Sequence, residues 1–248
     1  MFISASFLAI QYGVDDKIAR FFADRQPPAD NLYWKDKLLY LRPEPGWLFI
    51  PLIADLLFKC GIEREQLLSE KFVGLMERIG HISALEETRQ ITSGEALQSC
   101  IDLVKNDHQS PAYFNNLVDF MHNGTNNPFT KLAIPFKALH RGDVFLFALC
   151  ALNFDETLQE KLVGYWFALI STLLLLDDAD DLQEDKKTGD PNAFIESGLT
   201  KEGIATIVNM VRDNLKMIAL LNKSMAAKID QGYVSLNKLP HINQLLNQ

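Results

Sequence analysis

A chain of 248 residues with 48% hydrophobic side chains holds enough apolar surface for one sizeable core. Its formal net charge of -8 argues against a nucleic-acid partner, which needs a basic face to release counterions. Cys60, Cys100 and Cys150 have neither metal-site spacing nor the pattern of a disulfide framework, which points to a reducing, cytoplasmic setting.

Helical spacing dominates the chain, and strand signals are weak. The first ten residues are apolar but lack the charged leader and small-residue cleavage site of a signal peptide. Apolar periodicity then predicts helices near 14–25, 47–60, 64–88, 93–106, 112–123, 128–140, 142–152, 155–182 and 200–230. Pro and Gly punctuate them at Gln26-Pro27-Pro28, Pro43-Glu44-Pro45-Gly46, Gly61, Ser110-Pro111, Asn126-Asn127-Pro128 and Thr188-Gly189-Asp190-Pro191. Short connections imply antiparallel neighbours in a bundle. The longest apolar run, Tyr165 to Leu176, falls short of the roughly 20 residues a membrane span needs, so it reads as a buried helix and no transmembrane segment is expected. The expectation is an all-α, single-domain antiparallel bundle over 1–248, with 240–248 as a loose tail.

One segment stands apart. Six of the nine residues from Asp177 to Asp185 are carboxylates. On a helix, Asp177, Asp181 and Asp185 share one stripe, with Asp178 beside them. Like charges at these spacings repel, and a helix C-terminus disfavours anions further. A divalent cation would offset this, since magnesium takes one or two carboxylates and fills its shell with water and phosphate. Lys186 and Lys187 follow at once and could steady an anionic ligand. The plainer reading is a solvated acidic helix end. Phe167, Leu169, Ile170, Leu173 and Leu174, just upstream, could line an apolar tunnel or simply belong to the core. None of the five histidines has metal-type spacing.

The stretch 158–192 resembles class I isoprenoid synthases, particularly trans-prenyl diphosphate synthases. Asp177, Asp178 and Asp181 fill the D-D-x-x-D of that family's second acidic motif, Asp185 the further position, and Gly189-Asp190-Pro191 takes the place of Gly-Lys-Pro. The same stretch is similar to squalene and phytoene synthases, where Asp181, Asp185 and Gly189 match D-x-x-x-D and its following Gly. Upstream, Leu41-Arg42-Pro43 resembles the Arg-Pro that binds a diphosphate. The stretch 77–87 resembles the helix of the first acidic motif, and Asn116-Leu117-Val118-Asp119 a Gln-x-x-Asp helix. Lys131 or Lys137 takes the place of a Lys-Thr pair. The first motif is degenerate: it reads Glu86-Glu87-Thr88-Arg89-Gln90, and the usual Arg-Arg-Gly is absent.

The resemblance implies a helical bundle around a central cavity, with magnesium as cofactor and an allylic isoprenoid diphosphate as substrate. Asp177, Asp178, Asp181 and Asp185 would be metal ligands, facing Glu86 and Glu87 as a second arm. Arg42, Lys131, Lys137, Lys186 and Lys187 would touch phosphate. The reaction would be prenyl transfer, head-to-head condensation or cyclisation. Alternatively, the chain would be a catalytically impaired relative that binds a lipid diphosphate or partners an active synthase, as a homodimer or heteromer. A helical protein unrelated to isoprenoids is the third possibility.

Overall fold

Short polar side chains set most of the helix starts by accepting from the first free backbone N–H groups. Ser4 caps α1 (Ala5–Tyr12), Asp15 caps α2 (Asp16–Asp24) and Asn31 caps α3 (Leu32–Lys35). The short α4 (Leu38–Leu41) is broken internally by Tyr40, which sits at φ 72. α5 (Phe49–Cys60) ends on Gly61 in the left-handed region, and α6 (Arg64–Leu67) is a single turn. Ser69 caps α7 (Glu70–Glu87). Thr92 and Glu95 form a reciprocal capping box on α8 (Ser93–Val104), and Ser110 caps α9 (Pro111–Met121), which starts on proline. Two 3₁₀ segments follow, Pro128–Lys131 and Lys137–Ala151. Asp155 caps α10 (Glu156–Thr188), Asn192 caps α11 (Ala193–Glu196) and Thr200 caps α12 (Lys201–Leu221). The last helix is α13 (Lys223–Leu236).

This computed structural model describes residues 2–42, 48–122, 128–132, 134–236 and 243. Among them the chain is all-helical, with 77% helix and no strand. The expected loose tail at 240–248 lies outside the described residues except for Asn243, and Pro43 of the Arg-Pro pair lies outside them too.

Several boundaries differ from expectation for local reasons. The sequence gives no helix before residue 14, yet α1 forms. Its apolar residues surround the axis, leaving Ile10 73% exposed, so no single stripe announces it. The expected 64–88 helix divides at Leu68–Ser69, because Ser69 turns to cap α7. The expected 200–230 helix divides at Asn222. That amide donates to Gly13 O (3.1 Å) and Asp55 Oδ2 (2.7 Å) and accepts from Met225 N–H (2.9 Å). The expected helices 128–140 and 142–152 are replaced by 3₁₀ winding, which continues through 137–151, far longer than the three or four residues usual for it. α10 runs past residue 182 to Thr188, so the whole acidic cluster stays helical.

α10 is the central element, in contact with α5, α11, α12, α13 and the Lys137–Ala151 segment. By length and composition α10 is apolar enough to cross a membrane, and its most apolar stretch is 94% buried inside the fold. One large apolar cluster surrounds Trp166, Phe147 and Phe22. A smaller one, with Leu175, Leu182, Phe194 and Ile207, ties the acidic end of α10 to α11 and α12. The Lys137–Ala151 segment lies against both α7 and α10. It therefore fixes the spacing between the C-terminal half of α7 and the acidic end of α10.

A buried ion network holds the amino-terminal side of that arrangement. Glu77, 2% exposed, accepts from Arg25 Nε (2.8 Å), Arg25 Nη2 (2.9 Å) and the Tyr40 hydroxyl (3.0 Å). These bonds anchor Tyr40 in its left-handed conformation and so fix the neighbouring Leu39. Glu77→Gln keeps the shape but offers one acceptor oxygen for three donors. It is expected to lower the unfolding free energy by about 2 kcal/mol, read as a lower urea midpoint with an unchanged slope.

Candidate functional site

α7 and α10 approach each other across the Lys137–Ala151 segment, and Gly142 is what allows the close fit. A Cβ built there would come 2.9 Å from Ile170 Cγ2 of α10. Above this contact lies a cavity of about 300 Å³. Its interior is formed by Leu39, Phe49, Phe145, Ile170, Leu173 and Leu174. Ser83 and Glu87 of α7, Arg141, and Asp177 and Asp181 of α10 also line it. Since Glu87, Arg141 and Asp181 are exposed, they mark the mouth, while Leu39, Phe49, Phe145, Ile170 and Leu173 are all buried. Tyr33 lines the cavity with Glu87 and Ser83, and burial, with the nearby Glu87 charge, pushes its phenol pKa up.

Arg141 organises the acidic side. Its Nη1 donates to Ala138 O (2.8 Å), and its Nη2 donates to Asp178 Oδ1 (2.7 Å) and Asp177 Oδ2 (3.2 Å). Asp178 is 1% exposed, and its second oxygen accepts the Ala193 N–H at 2.7 Å. Asn192 Nδ2 donates both to Asp178 O and to Asp185 Oδ2, each at 2.7 Å. Asp178 and Asp185 thus hold the start of α11 against α10. Asp177 and Asp181 turn the other way, to the cavity.

Burial raises the pKa of each acid that faces the cavity. Burial raises Asp177 to about 6, against the relief given by Arg141 and with added repulsion from Asp181 and Asp178. Burial likewise raises Asp181, helped by Asp185, Asp180 and Glu184. Glu87 is open to solvent along its outer edge, but its protein surroundings are dense enough that burial raises its pKa too, with Tyr33 pulling the other way. Beside Arg141, His140 sits between two acceptors, Asp143 Oδ2 (2.6 Å) and Ile134 O (3.1 Å). A carbonyl only accepts, so Nε2 carries a proton, and the Asp143 hydrogen bond raises the pKa of the ring.

The raised pKa of Asp177 carries a pH signature. A group whose folded pKa lies above its unfolded value stabilises the fold fully below the unfolded value. That contribution is lost as pH rises through the folded one. For Asp177 the loss runs from about pH 4 up through about 6. The shift at full value corresponds to roughly 3 kcal/mol. Because the side chain is 39% exposed, solvent screening cuts this to about 1 kcal/mol. Asp177→Asn is therefore expected to raise the thermal midpoint at pH 8 and to leave it unchanged at pH 4.

The remaining residues singled out from sequence are dispersed. Glu86 lines a separate surface depression with Arg89, Gln90 and Thr92. Arg42 places its guanidinium 5.5 Å from the centre of the Phe2 ring and does not line the cavity. Lys186 and Lys187 are exposed in the last turn of α10, outside the lining. Lys137 is exposed, with its backbone N–H donating to Glu196 Oε1 at 2.9 Å. The side chain of Lys131 lies outside the described residues. Asn116 and Asp119 lie on α9, which contributes nothing to the lining. Sequence reasoning missed Arg141, Tyr33 and Ser83. The one signal for Arg141 was indirect, since an acidic cluster leaving a core needs a cation nearby.

Among the described residues, no three His, Cys, Asp or Glu side chains converge on a ready-made metal position. Magnesium asks for less, one or two carboxylates with water and phosphate completing its shell. Asp177 and Asp181, with Glu87 opposite, fit that demand, while Asp178 has both oxygens and Asp185 one oxygen engaged within the protein. Comparison of the chain with protein families, with curated proteins and with solved structures gives no significant match.

Proposed function

We propose that this chain is a magnesium-dependent, isoprenoid-synthase-like protein acting on an allylic isoprenoid diphosphate. The carrying observation is that Glu87 on one helix and Asp177 and Asp181 on another line the same apolar-walled cavity. Asp177 and Asp181 from one side, or Glu87 from the other, would supply the one or two carboxylates that magnesium needs, and the metal when bound withdraws charge from a leaving diphosphate. The chain's own residues have two further tasks. The apolar interior receives the hydrocarbon and keeps water from it. Tyr33 and Ser83 line the cavity beside Glu87. Arg141 holds Asp177 toward the cavity.

A second reading is a relative that binds a lipid diphosphate without turnover, alone or beside an active synthase. It is favoured by the commitment of Asp178 to Arg141 and Ala193 and by the turning away of Glu86, which leave fewer ligand oxygens than two full acidic arms would supply. One experiment separates the two. The protein is incubated with geranyl or farnesyl diphosphate and magnesium, and released diphosphate is measured with and without EDTA. Chelator-sensitive release supports the first reading. Binding by calorimetry without release supports the second, and neither binding nor release removes both.

A further inference from the structure

The mouth of the cavity selects by charge even with no metal bound. Among the described lining residues, Glu87, Asp177 and Asp181 are acids and Arg141 is the one base. That base is already engaged by Asp177 and by the buried Asp178. Among the described lining residues acids therefore outnumber bases three to one, and low-dielectric apolar walls focus the resulting negative potential inward. A free carboxylate or an unassisted phosphate is repelled there, whereas a cation is drawn in.

The interior adds a second requirement. It is walled by Leu39, Ile170 and Leu173 and by the rings of Phe49 and Phe145, which meet edge to face at 4.7 Å. A volume of about 300 Å³ holds roughly ten water-sized groups at ~30 Å³ each. An occupant must therefore be charged at one end, apolar along the rest, and short.

We propose that the cavity, free of metal, binds a lipophilic primary ammonium with an apolar chain of about eight to ten carbons. Its head group lies between Glu87 and the pair Asp177 and Asp181, and its chain runs over Phe49 and Phe145. This goes beyond the diphosphate reading, because it rests on the charge and shape of the cavity and needs no divalent cation. Magnesium at the same carboxylates competes with the ammonium, so the metal switches the site from cationic to anionic ligands.

The test is calorimetric titration of the full chain with n-octylamine, n-octanol and octanoate in chelator-containing buffer at pH 7.5. Octylamine is expected to bind at least about tenfold more tightly than the other two. The double variant Glu87→Gln, Asp181→Asn alters two exposed side chains. It is expected to lose about tenfold in octylamine affinity while its thermal midpoint stays within a few degrees of the parent. Added magnesium is expected to weaken octylamine binding in the parent and not in the double variant. Octanol or octanoate binding as tightly as octylamine overturns the proposal, as does absence of octylamine binding. Diphosphate release without amine binding removes this inference alone, and amine binding without release removes only the synthase reading.

Discussion

Asp178→Ala is expected to lower the unfolding free energy by roughly 2–4 kcal/mol, from losing a hydrogen bond to a charged group and leaving a buried N–H without its acceptor. Asp178 is 1% exposed and accepts Arg141 Nη2 and the Ala193 N–H, each at 2.7 Å. Alanine leaves the guanidinium with the weaker 3.2 Å contact to Asp177 and leaves an N–H of α11 without its acceptor. Asp178→Asn retains an acceptor for Ala193 and loses the charge, so it costs less, about 1–3 kcal/mol. Asp180→Ala, a neighbour on the exposed side, shifts stability by no more than about 0.5 kcal/mol. Urea unfolding of the three variants checks the order. Equal midpoints for Asp178→Ala and Asp180→Ala would show that the inward pairing of Asp178 contributes nothing.

The contrast between Asp178 and Asp180 bears on what a sequence can show. Local chemistry was readable wherever a helix announces itself locally. Thr92 with Glu95, Ser110 before Pro111, and Asp155 cap helices within about a residue of the expected starts, whereas Ser69 caps α7 inside what reads as one helix. The acidic cluster was readable as a group of repelling charges that needs an offset. What those charges do was not. The partner that draws Asp178 inward is Arg141, 37 positions earlier, and the amide that takes up Asp185 belongs to Asn192, seven positions later across a turn. A stripe of i, i+4 and i+8 treats Asp177, Asp181 and Asp185 alike. Tertiary contacts divide the cluster into a pair that faces the cavity and a pair that fastens α11.

The long 3₁₀ segment was hidden for a similar reason. Nothing in Lys137–Ala151 forbids an α-helix, but Gly142 must pass Ile170 at a distance no Cβ tolerates, and His140 is tied by both ring nitrogens. The partners Ile170 and Ile134 lie outside the segment, so its own residues do not show what they will meet. Glu86 and Glu87 illustrate the same limit on α7. They are adjacent and chemically equivalent, yet the helical turn sends Glu87 to the cavity and Glu86 to a separate depression.

That division predicts which acid matters for turnover. Under the proposed function, Asp181→Ala is expected to reduce magnesium-dependent diphosphate release by roughly 10²–10³, the scale of losing one group that stabilises a developing anion. Its stability should be unchanged or slightly higher, because Asp181 is exposed and is repelled by Asp185, Asp180 and Glu184. Glu87→Ala should follow it in activity, since Glu87 faces the same cavity from α7, and Glu86→Ala should not. Steady-state diphosphate release with matched circular dichroism spectra measures this. If Glu86→Ala loses as much release as Glu87→Ala, the two helices do not meet as opposed arms of one site. A loss confined to Asp181 and Glu87 would mean that the cavity between α7 and α10, and not the acidic run as a whole, is the catalytic unit.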